Sequence, residues 1–302
     1  MKFEVNAPRL QGALMARPDE LLEFARLVDD LGYDYLTTGL GGEQVAYLPG
    51  AQLGDHPIPV AGDIPDSLEV AAFLAAATKR VVLKNSFILP CHHPLVTAKR
   101  LATVDVLTRG RLRSLVMLGW VQPVHEWCNT DFPSRGRRAD EMIDVMRLLW
   151  AADETGATFH GEFFSFDDAL SYPKPYGGRS IPFDIGGASR GAMKRAALRG
   201  DGYFPTARID PRHRGHVVTS FVPLTDDEFA EQVREVRRMA VEAERDPAAI
   251  EFVRFSSLKM NEDDVAAMAA LGADRLVLTV NTDDFGRVSD QLSAFADRLS
   301  LR

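Results

Sequence analysis

The stretch "IGGASRG", residues 185 to 191, has a composition that suits anion binding. An apolar run that predicts a strand meets the start of a predicted helix here, at Gly186, Gly187, Ala188, Ser189 and Arg190. The first N–H groups of a helix lack acceptors within the helix, and the positive end of the helix attracts anions. The stretch therefore predicts a phosphate site. An ordinary tight strand-to-helix turn, with Ser189 as the helix cap, fits the same residues.

Proton-transferring side chains form a second group of candidates. Histidine has the ordinary pKa closest to neutral pH, and it acts in catalysis as an acid or a base, as carboxylates also do. We predict catalytic roles for His92, His125 and Glu126. Further candidates are His93, Glu43 and His56. For each histidine, a purely structural role is the alternative.

A repeating unit must position these residues. Segments 27–38, 195–206 and 268–279 each contain an apolar helical stretch, then a glycine and a short apolar run, which is the pattern of a helix followed by a buried parallel strand. Eight apolar runs predict strands, which begin near residues 2, 33, 80, 111, 181, 201, 250 and 274. Eight alternations of strand and helix in 302 residues favour a (β/α)8 TIM barrel over an open doubly wound sheet.

We predict one domain over residues 1–302, because no linker or shift in composition divides the chain. Three stretches are predicted insertions after strands two, four and six, namely 39–66, 152–180 and 205–225. The second is expected to hold a short hairpin around "FHGEFFSF". The first and third follow the carboxyl ends of strands, where barrel enzymes carry their substrate loops, so they are expected to shape a pocket. The alternative is that these insertions are surface loops that do not contribute to a pocket.

Composition excludes several classes of protein. A net charge of −8 disfavours nucleic acid as a partner, because phosphate backbones require clustered Lys and Arg. The first ten residues lack the pattern of a signal peptide, and the longest apolar run, 70–77, is too short to span a membrane. We therefore expect a cytoplasmic protein. The two cysteines, Cys91 and Cys128, have neither metal-site spacing nor a disulfide framework, and we predict no metal site.

Four stretches carry a family resemblance: "AAATKRVVLKNSFILPCHHPLVTAKRLATVDVLTRGRL", "DFPSRGRRADEMIDVMRLLW", "FHGEFFSFDDALSYPKP" and "IGGASRGAMKRAALRGDGYFP". Together they resemble the luciferase-like superfamily, and within it the branch that depends on the deazaflavin coenzyme F420. The resemblance implies a (β/α)8 barrel, often a homodimer, that binds F420 or FMN at the carboxyl-terminal mouth. It also implies hydride transfer with an organic substrate or the activation of oxygen.

The resemblance assigns cofactor contacts to particular residues. It places the cofactor's phosphate near 186–190. A bulge with a non-proline cis peptide, which supports the flavin ring in the family, maps onto Asn85 and Ser86 in the third strand. Gly119 and Trp120 match the end of a Gly-Val-Gly-Val-Gly-Trp pattern at the fourth strand. These residues are predicted to bind the cofactor, and the largest pocket is expected at this mouth.

The chain departs from the family pattern at two places. Leu115 and Met117 stand where relatives have glycines, and strand alternation puts both side chains on one face. Leu40 and Gly41 stand where many relatives have an acidic residue followed by histidine. With Thr38, the residues Leu40, Leu115 and Met117 are predicted to line the substrate pocket. The added volume indicates either a remodelled pocket or weakened flavin binding.

Lys84 is a third unusual residue, because relatives usually have threonine there. An amine inside a barrel is costly unless it reaches the mouth or a carboxylate. The alternative is that Lys84 points outward into the helix layer and extends its amine to water.

Together these observations predict an oxidoreductase that transfers a hydride between F420 and a small, largely apolar organic substrate. An FMN-dependent monooxygenase is the alternative within the same class. A flavin-free barrel, acting as an isomerase, cyclase, lyase or ligand-binding protein, is the alternative from another class. Leu115, Met117, Leu40 and Gly41 keep this last alternative open.

Overall fold

The computed structural model describes residues 1–39, 65–206 and 223–301, together with the backbone of five two-residue strands at 52–53, 56–57, 208–209, 218–219 and 221–222.

A closed barrel of eight parallel strands forms the centre of the structure. The strands are β1 (Lys2–Asn6), β2 (Tyr35–Thr37), β3 (Val82–Ile88), β4 (Leu112–Met117), β5 (Phe183–Gly186), β6 (Gly202–Phe204), β7 (Glu251–Ser256) and β8 (Arg275–Thr279). Strand β1 pairs with both β2 and β8, which closes the barrel. The predicted (β/α)8 fold is confirmed, and each of the eight predicted runs contains one of these strands.

Helices connect the strands and cover the barrel. They are α1 (Pro8–Leu14), α2 (Pro18–Asp30), α3 (Ser67–Ala75), α4 (Pro94–Leu107), α5 (Gln122–Trp127), α6 (Arg135–Ala151), α7 (Arg190–Arg199), α8 (Asp226–Glu242), α9 (Glu262–Ala270) and α10 (Phe285–Arg298). Local sequence sets their ends. Helix α8, for example, begins with a capping box in which Thr225 and Glu228 each bond the other's backbone N–H.

Strand residues alternate between two buried environments. Outward-facing residues such as Leu83, Val116 and Leu276 pack with the helices in one large apolar core. Inward-facing residues at the middle of the barrel are charged instead. We call these six residues the ionic cluster: Glu4, Lys84, Arg113, Asp184, Glu251 and Arg275.

Opposite charges are paired throughout the ionic cluster. Arg113 Nε lies 2.7 Å from Asp184 Oδ1, and Arg275 contacts the other oxygen of Asp184. Lys84 is buried and pairs with Glu4, which also accepts a hydrogen bond from Thr37. Burial alone would raise the pKa of Asp184, but the two guanidinium groups lower it below its usual range. Lys84 thus points inward to a carboxylate, and the alternative of an outward-facing lysine was wrong.

The predicted hairpin is present, because strands Ala157–His160 and Ser165–Ala169 pair antiparallel. Strand 218–219 pairs in parallel with strand 52–53, so the backbones of the first and third predicted insertions meet. Among the described residues, no helix has the length and apolar character that crossing a membrane requires.

Candidate functional site

An apolar layer covers the ionic cluster on the side of the strands' carboxyl ends. Leu115, Phe204, Val253 and Val277 are each no more than 3% exposed and pack together, with Met117 against them. The Phe204 ring lies 5.1 Å from the Lys84 amine below it. This layer separates the buried charges from the barrel mouth.

The next inward-facing residues form what we call the mouth floor. Its members are Asn6, Met117, Gly186, Phe255 and Thr279, each at or near the carboxyl end of its strand. Phe255 is 45% exposed, and its ring centroid lies 4.7 Å from that of Phe204. An exposed aromatic ring at the open end of a barrel offers a flat apolar surface to a ligand. Sequence reasoning missed Phe255, although strand alternation from Val253 would have placed it here.

The turn between β5 and α7 borders this floor. Gly187 has φ +105°, a conformation that favours glycine, and its N–H donates to the Phe204 carbonyl at 3.0 Å. The Ser189 hydroxyl accepts a hydrogen bond from the Ala192 N–H at 3.2 Å, which confirms the predicted helix cap. The Arg190 side chain is exposed, and the Ala188 carbonyl accepts a bond from Gln232. Phosphate binding at the remaining first-turn N–H groups stays a prediction.

Strand β3 does not have the expected bulge. Its residues 83–88 pair one to one with residues 112–117 of β4. Asn85 lies on the opposite face from Lys84, where its Oδ1 accepts a hydrogen bond from Ser114, so its side chain faces away from the mouth. The Ser67 hydroxyl accepts a hydrogen bond from the Ser86 N–H and donates one to the Ser86 carbonyl, which ties β3 to the start of α3 beyond the end of β2.

The expected non-proline cis peptide is also absent. Within the described part of the chain, the cis peptide bond is Tyr172–Pro173, and Asn85–Ser86 is not cis. Contact between a cofactor and Ser86 stays a prediction, whereas the buried Asn85 side chain serves the fold.

The four predicted pocket residues lie in different places. Thr38 is 1% exposed, and its hydroxyl donates to the Ser67 carbonyl at 2.7 Å, so it ties β2 to the start of α3. Leu40 lies outside the described residues, as do Gly41, Glu43 and the His56 side chain. Leu115 and Met117 face the barrel interior, as strand alternation predicted.

The three predicted catalytic residues have unlike environments. His125 is fully buried, and burial with nearby Arg135 lowers its pKa to about 4. His92 is half-buried with its ring 5.7 Å from Phe87, and burial also lowers its pKa. Glu126 is exposed and accepts a hydrogen bond from Gln122. No hydrogen bond joins these three among the described residues, so the structure does not bring them together as a catalytic group.

Gly119 and Trp120 follow β4 at the mouth. A Cβ at Gly119 would lie 2.8 Å from Ile88 Cγ2 and 2.9 Å from His125 Nε2, and its φ is +72°. Glycine is therefore required there for close packing. The Gly119 carbonyl accepts a hydrogen bond from Arg135. Trp120 lies next to it in the chain, and its cofactor contact stays a prediction.

A surface pocket of about 460 Å³ lies at the opposite end of the barrel from the one we expected. It is lined by Asp144, Leu198, Arg199, Ala243, Glu244 and Arg245. Its arginines are already paired, Arg199 with Asp144 and Arg245 with Asp201, so it presents no unpaired cation to a ligand. Most side chains of the two insertions on the mouth side lie outside the described residues, and the mouth pocket stays a prediction.

Comparison with known proteins gives a family match along nearly the whole chain. The family of luciferase-like monooxygenases matches residues 1–299. An F420-dependent glucose-6-phosphate dehydrogenase of Microbacterium testaceum is 29% identical over 205 residues, 64% of this chain and 54% of that protein. An FMNH2-dependent dimethylsulfone monooxygenase of Pseudomonas fluorescens is 31% identical over 218 residues, 68% of this chain and 55% of that protein. The chain thus matches about half the length of these curated relatives.

Solved structures agree on the fold. Monooxygenase RslO1 from Streptomyces bottropensis superposes with a TM-score of 0.74 at 18% identity, covering 99% of each chain. An F420-dependent secondary alcohol dehydrogenase, solved with an F420–acetone adduct, gives a TM-score of 0.72 at 17% identity, covering 99% of this chain and 98% of that one. At these identities the likeness concerns the fold alone.

Proposed function

The chain belongs to the luciferase-like monooxygenase family, whose members are oxidoreductases, and we propose that it transfers a hydride between coenzyme F420 and a small, largely apolar organic substrate. Relatives that depend on F420 and relatives that depend on FMN both match the chain. The observation that carries the proposal is the apolar surface that Met117 and Phe255 give the mouth floor, directly beside the amino end of α7.

The described residues fit such a cofactor at two points. Met117 and Phe255 offer an apolar surface on which a flat ring system can lie. Gly187 and the first turn of α7 offer backbone N–H groups and the positive helix end to a phosphate. A Cβ at Gly187 would be 3.7 Å from its nearest neighbour, so the turn leaves room for close approach.

Each part of the site has a separate task under this proposal. F420, when bound, supplies or accepts the hydride. Met117 and Phe255 of the mouth floor orient the ring and exclude water from its lower face, because they are apolar and Leu115 closes the barrel beneath Met117. These two side chains also favour an apolar substrate beside the ring, since a buried polar group without a partner is costly.

Two features of the barrel favour the second candidate, a flavin-free barrel. Met117 and Leu115 fill the inner face of β4, and β3 continues without the bulge that the family resemblance implied. Both features reduce the support and the space for a flavin ring. An isomerase, cyclase, lyase or ligand-binding role at the same mouth fits this arrangement.

Titration of the purified protein with F420, FMN and FMNH2, followed by fluorescence, separates the candidates. The proposal expects F420 to bind at low micromolar concentration and to be reduced or oxidised on addition of an alcohol or a ketone. Preferential binding of FMN or FMNH2 would favour the monooxygenase. Absence of binding by all three would overturn the redox proposal and leave the flavin-free barrel.

A further inference from the structure

The two cysteines of the chain, Cys91 and Cys128, are 37 positions apart in the sequence. Their side chains interact in the folded protein. Cys91 ends the short turn Leu89–Cys91 after β3, and Cys128 is the residue that caps α5. Both are free thiols and half-buried, so a small oxidant can reach them.

Several contacts hold the two segments against each other. The Thr130 hydroxyl donates to the Pro90 carbonyl at 2.9 Å, and Arg138 Nε donates to the same oxygen at 3.1 Å. The Cys128 N–H bonds the carbonyls of Val124 and His125, which fixes it on the last turn of α5. These contacts hold the turn that carries Cys91 against the end of α5 that carries Cys128.

The two thiols differ in their surroundings. Burial, together with the neighbouring Cys128 thiol, raises the pKa of Cys91 to about 12. Cys91 Sγ also lies 3.8 Å from His125 Nδ1, within hydrogen-bond reach for sulfur. Since the thiolate is the reactive form, the raised pKa makes Cys91 a poor nucleophile toward an outside reagent.

We propose that Cys91 and Cys128 form a peroxide-sensitive thiol pair that oxidises to an intramolecular disulfide, which links the turn after β3 to α5 at the carboxyl end of the barrel. The Cys128 sulfur attacks the outer oxygen of a hydroperoxide, the O–O bond breaks, and the thiol proton leaves with the alcohol. Cys128 is then a sulfenic acid. The Cys91 sulfur attacks the Cys128 sulfur, the S–O bond breaks, and the Cys91 proton leaves with hydroxide as water. The two sulfurs together lose two electrons, which reduce the peroxide.

The pair is testable without any knowledge of the substrate or the cofactor. Native protein is treated with tert-butyl hydroperoxide, its thiols are counted by maleimide labelling after denaturation, and it is mapped by mass spectrometry without reduction. We expect both thiols to disappear together, the chain to lose two hydrogens in mass, and one peptide pair to link Cys91 to Cys128. Dithiothreitol should restore both thiols.

Two single variants test the order of the steps. Cys91→Ser leaves Cys128 without its partner, so a sulfenic acid should accumulate there and be trapped by dimedone. Cys128→Ser should leave Cys91 at least tenfold slower to oxidise than the native pair. Independent loss of the two thiols, or disulfides only between chains, would overturn the proposal. Because the readout is mass and thiol content, failure here leaves the proposed oxidoreductase activity untouched.

Discussion

Met117 Cγ lies 2.8 Å from the position that a Cβ on Gly186 would occupy, and Leu115 Cδ1 lies 3.3 Å from it. The two large side chains of β4 therefore occupy space that the adjacent strand leaves open by carrying glycine. Any larger residue at 186 would force Met117 to move. The large side chains of β4 thus fill the space that Gly186 leaves on β5. Leu115 and Met117 together close the mouth floor.

The double variant Leu115→Gly, Met117→Gly tests whether that closure limits cofactor binding. Emptying the two positions should strengthen binding of F420 or FMN if the side chains occupy ring space. It should also lower the free energy of unfolding by roughly 2 to 5 kcal/mol for each buried site, with added backbone entropy. Fluorescence titration and urea unfolding measure the two effects.

The two single variants separate the effect on stability from the effect on cofactor affinity. Leu115 is 3% exposed and covers the ionic cluster, so Leu115→Gly should account for most of the lost stability. Met117 is half-buried at the mouth floor, so Met117→Gly should account for most of the gain in affinity. Low micromolar binding by the native protein with no gain in the variants would show that both residues are only a remodelled wall.

Gly187 offers a test of the phosphate site with a matched control. Its φ of +105° strains any other residue, so Gly187→Asp alone could not separate the effect of backbone strain on binding from the effect of the added charge. Gly187→Asn has nearly the same shape, similar strain and no charge. We expect Gly187→Asp to abolish binding of F420 or FMN, and Gly187→Asn to retain a measurable part of it. Equal affinities for the two variants would leave only the capped turn at this position.

Sequence patterns predicted the barrel well because its strands have a strong local signal. Buried parallel strands are continuous apolar runs, and the glycine that ends the preceding helix marks their start, as before "YDYLTT" and "DRLVLTV". Local sequence could not predict the direction of the Lys84 side chain. Lys84 points inward because it pairs with Glu4, which lies 80 positions earlier on a strand that is not adjacent to β3.

The candidate site was harder to predict because it depends on which face each side chain occupies. Asn85 and Ser86 were assigned together, but an unbroken strand must send them to opposite faces. His125 and Glu126 are likewise both predicted to be catalytic, but His125 is buried on α5 and Glu126 is exposed. The contact between Cys91 and Cys128 joins two connecting segments, and no spacing in the chain indicates it.

Asp184 should be essential for the stability of the ionic cluster. Asp184→Asn removes the carboxylate that lies nearest to both Arg113 and Arg275, and Glu251 remains at 3.2 Å and 3.9 Å from them. We expect a loss of about 3 to 5 kcal/mol in the free energy of unfolding at pH 7. The control Asp144→Asn breaks a more exposed pair with Arg199 and should cost less than about 1 kcal/mol. Similar losses in both variants would contradict a special role for the ionic cluster.

The same carboxylate predicts the direction of acid sensitivity. Because the folded protein holds the pKa of Asp184 below the ordinary 3.8, its stabilisation is present above pH 3.8 and is lost as the pH falls through the lower folded value. The difference in unfolding free energy between the native protein and Asp184→Asn should therefore narrow below pH 3.8. Urea unfolding at a series of pH values measures it. A difference that stays constant down to pH 2 would show that the folded protein does not hold the pKa of Asp184 below its ordinary value.

His125 should affect the free energy of unfolding at a higher pH than Asp184 does. Its pKa is about 4 in the folded protein against 6.5 ordinarily, so between these values the unfolded chain holds more protons on this residue. The free energy of unfolding should therefore fall as the pH drops from 6.5 toward 4, and His125→Gln should flatten this slope. NMR titration gives the direct check: if the His125 ring takes up its proton near pH 6.5, its burial does not exclude the charge, and a catalytic role for it as a proton carrier at neutral pH gains support.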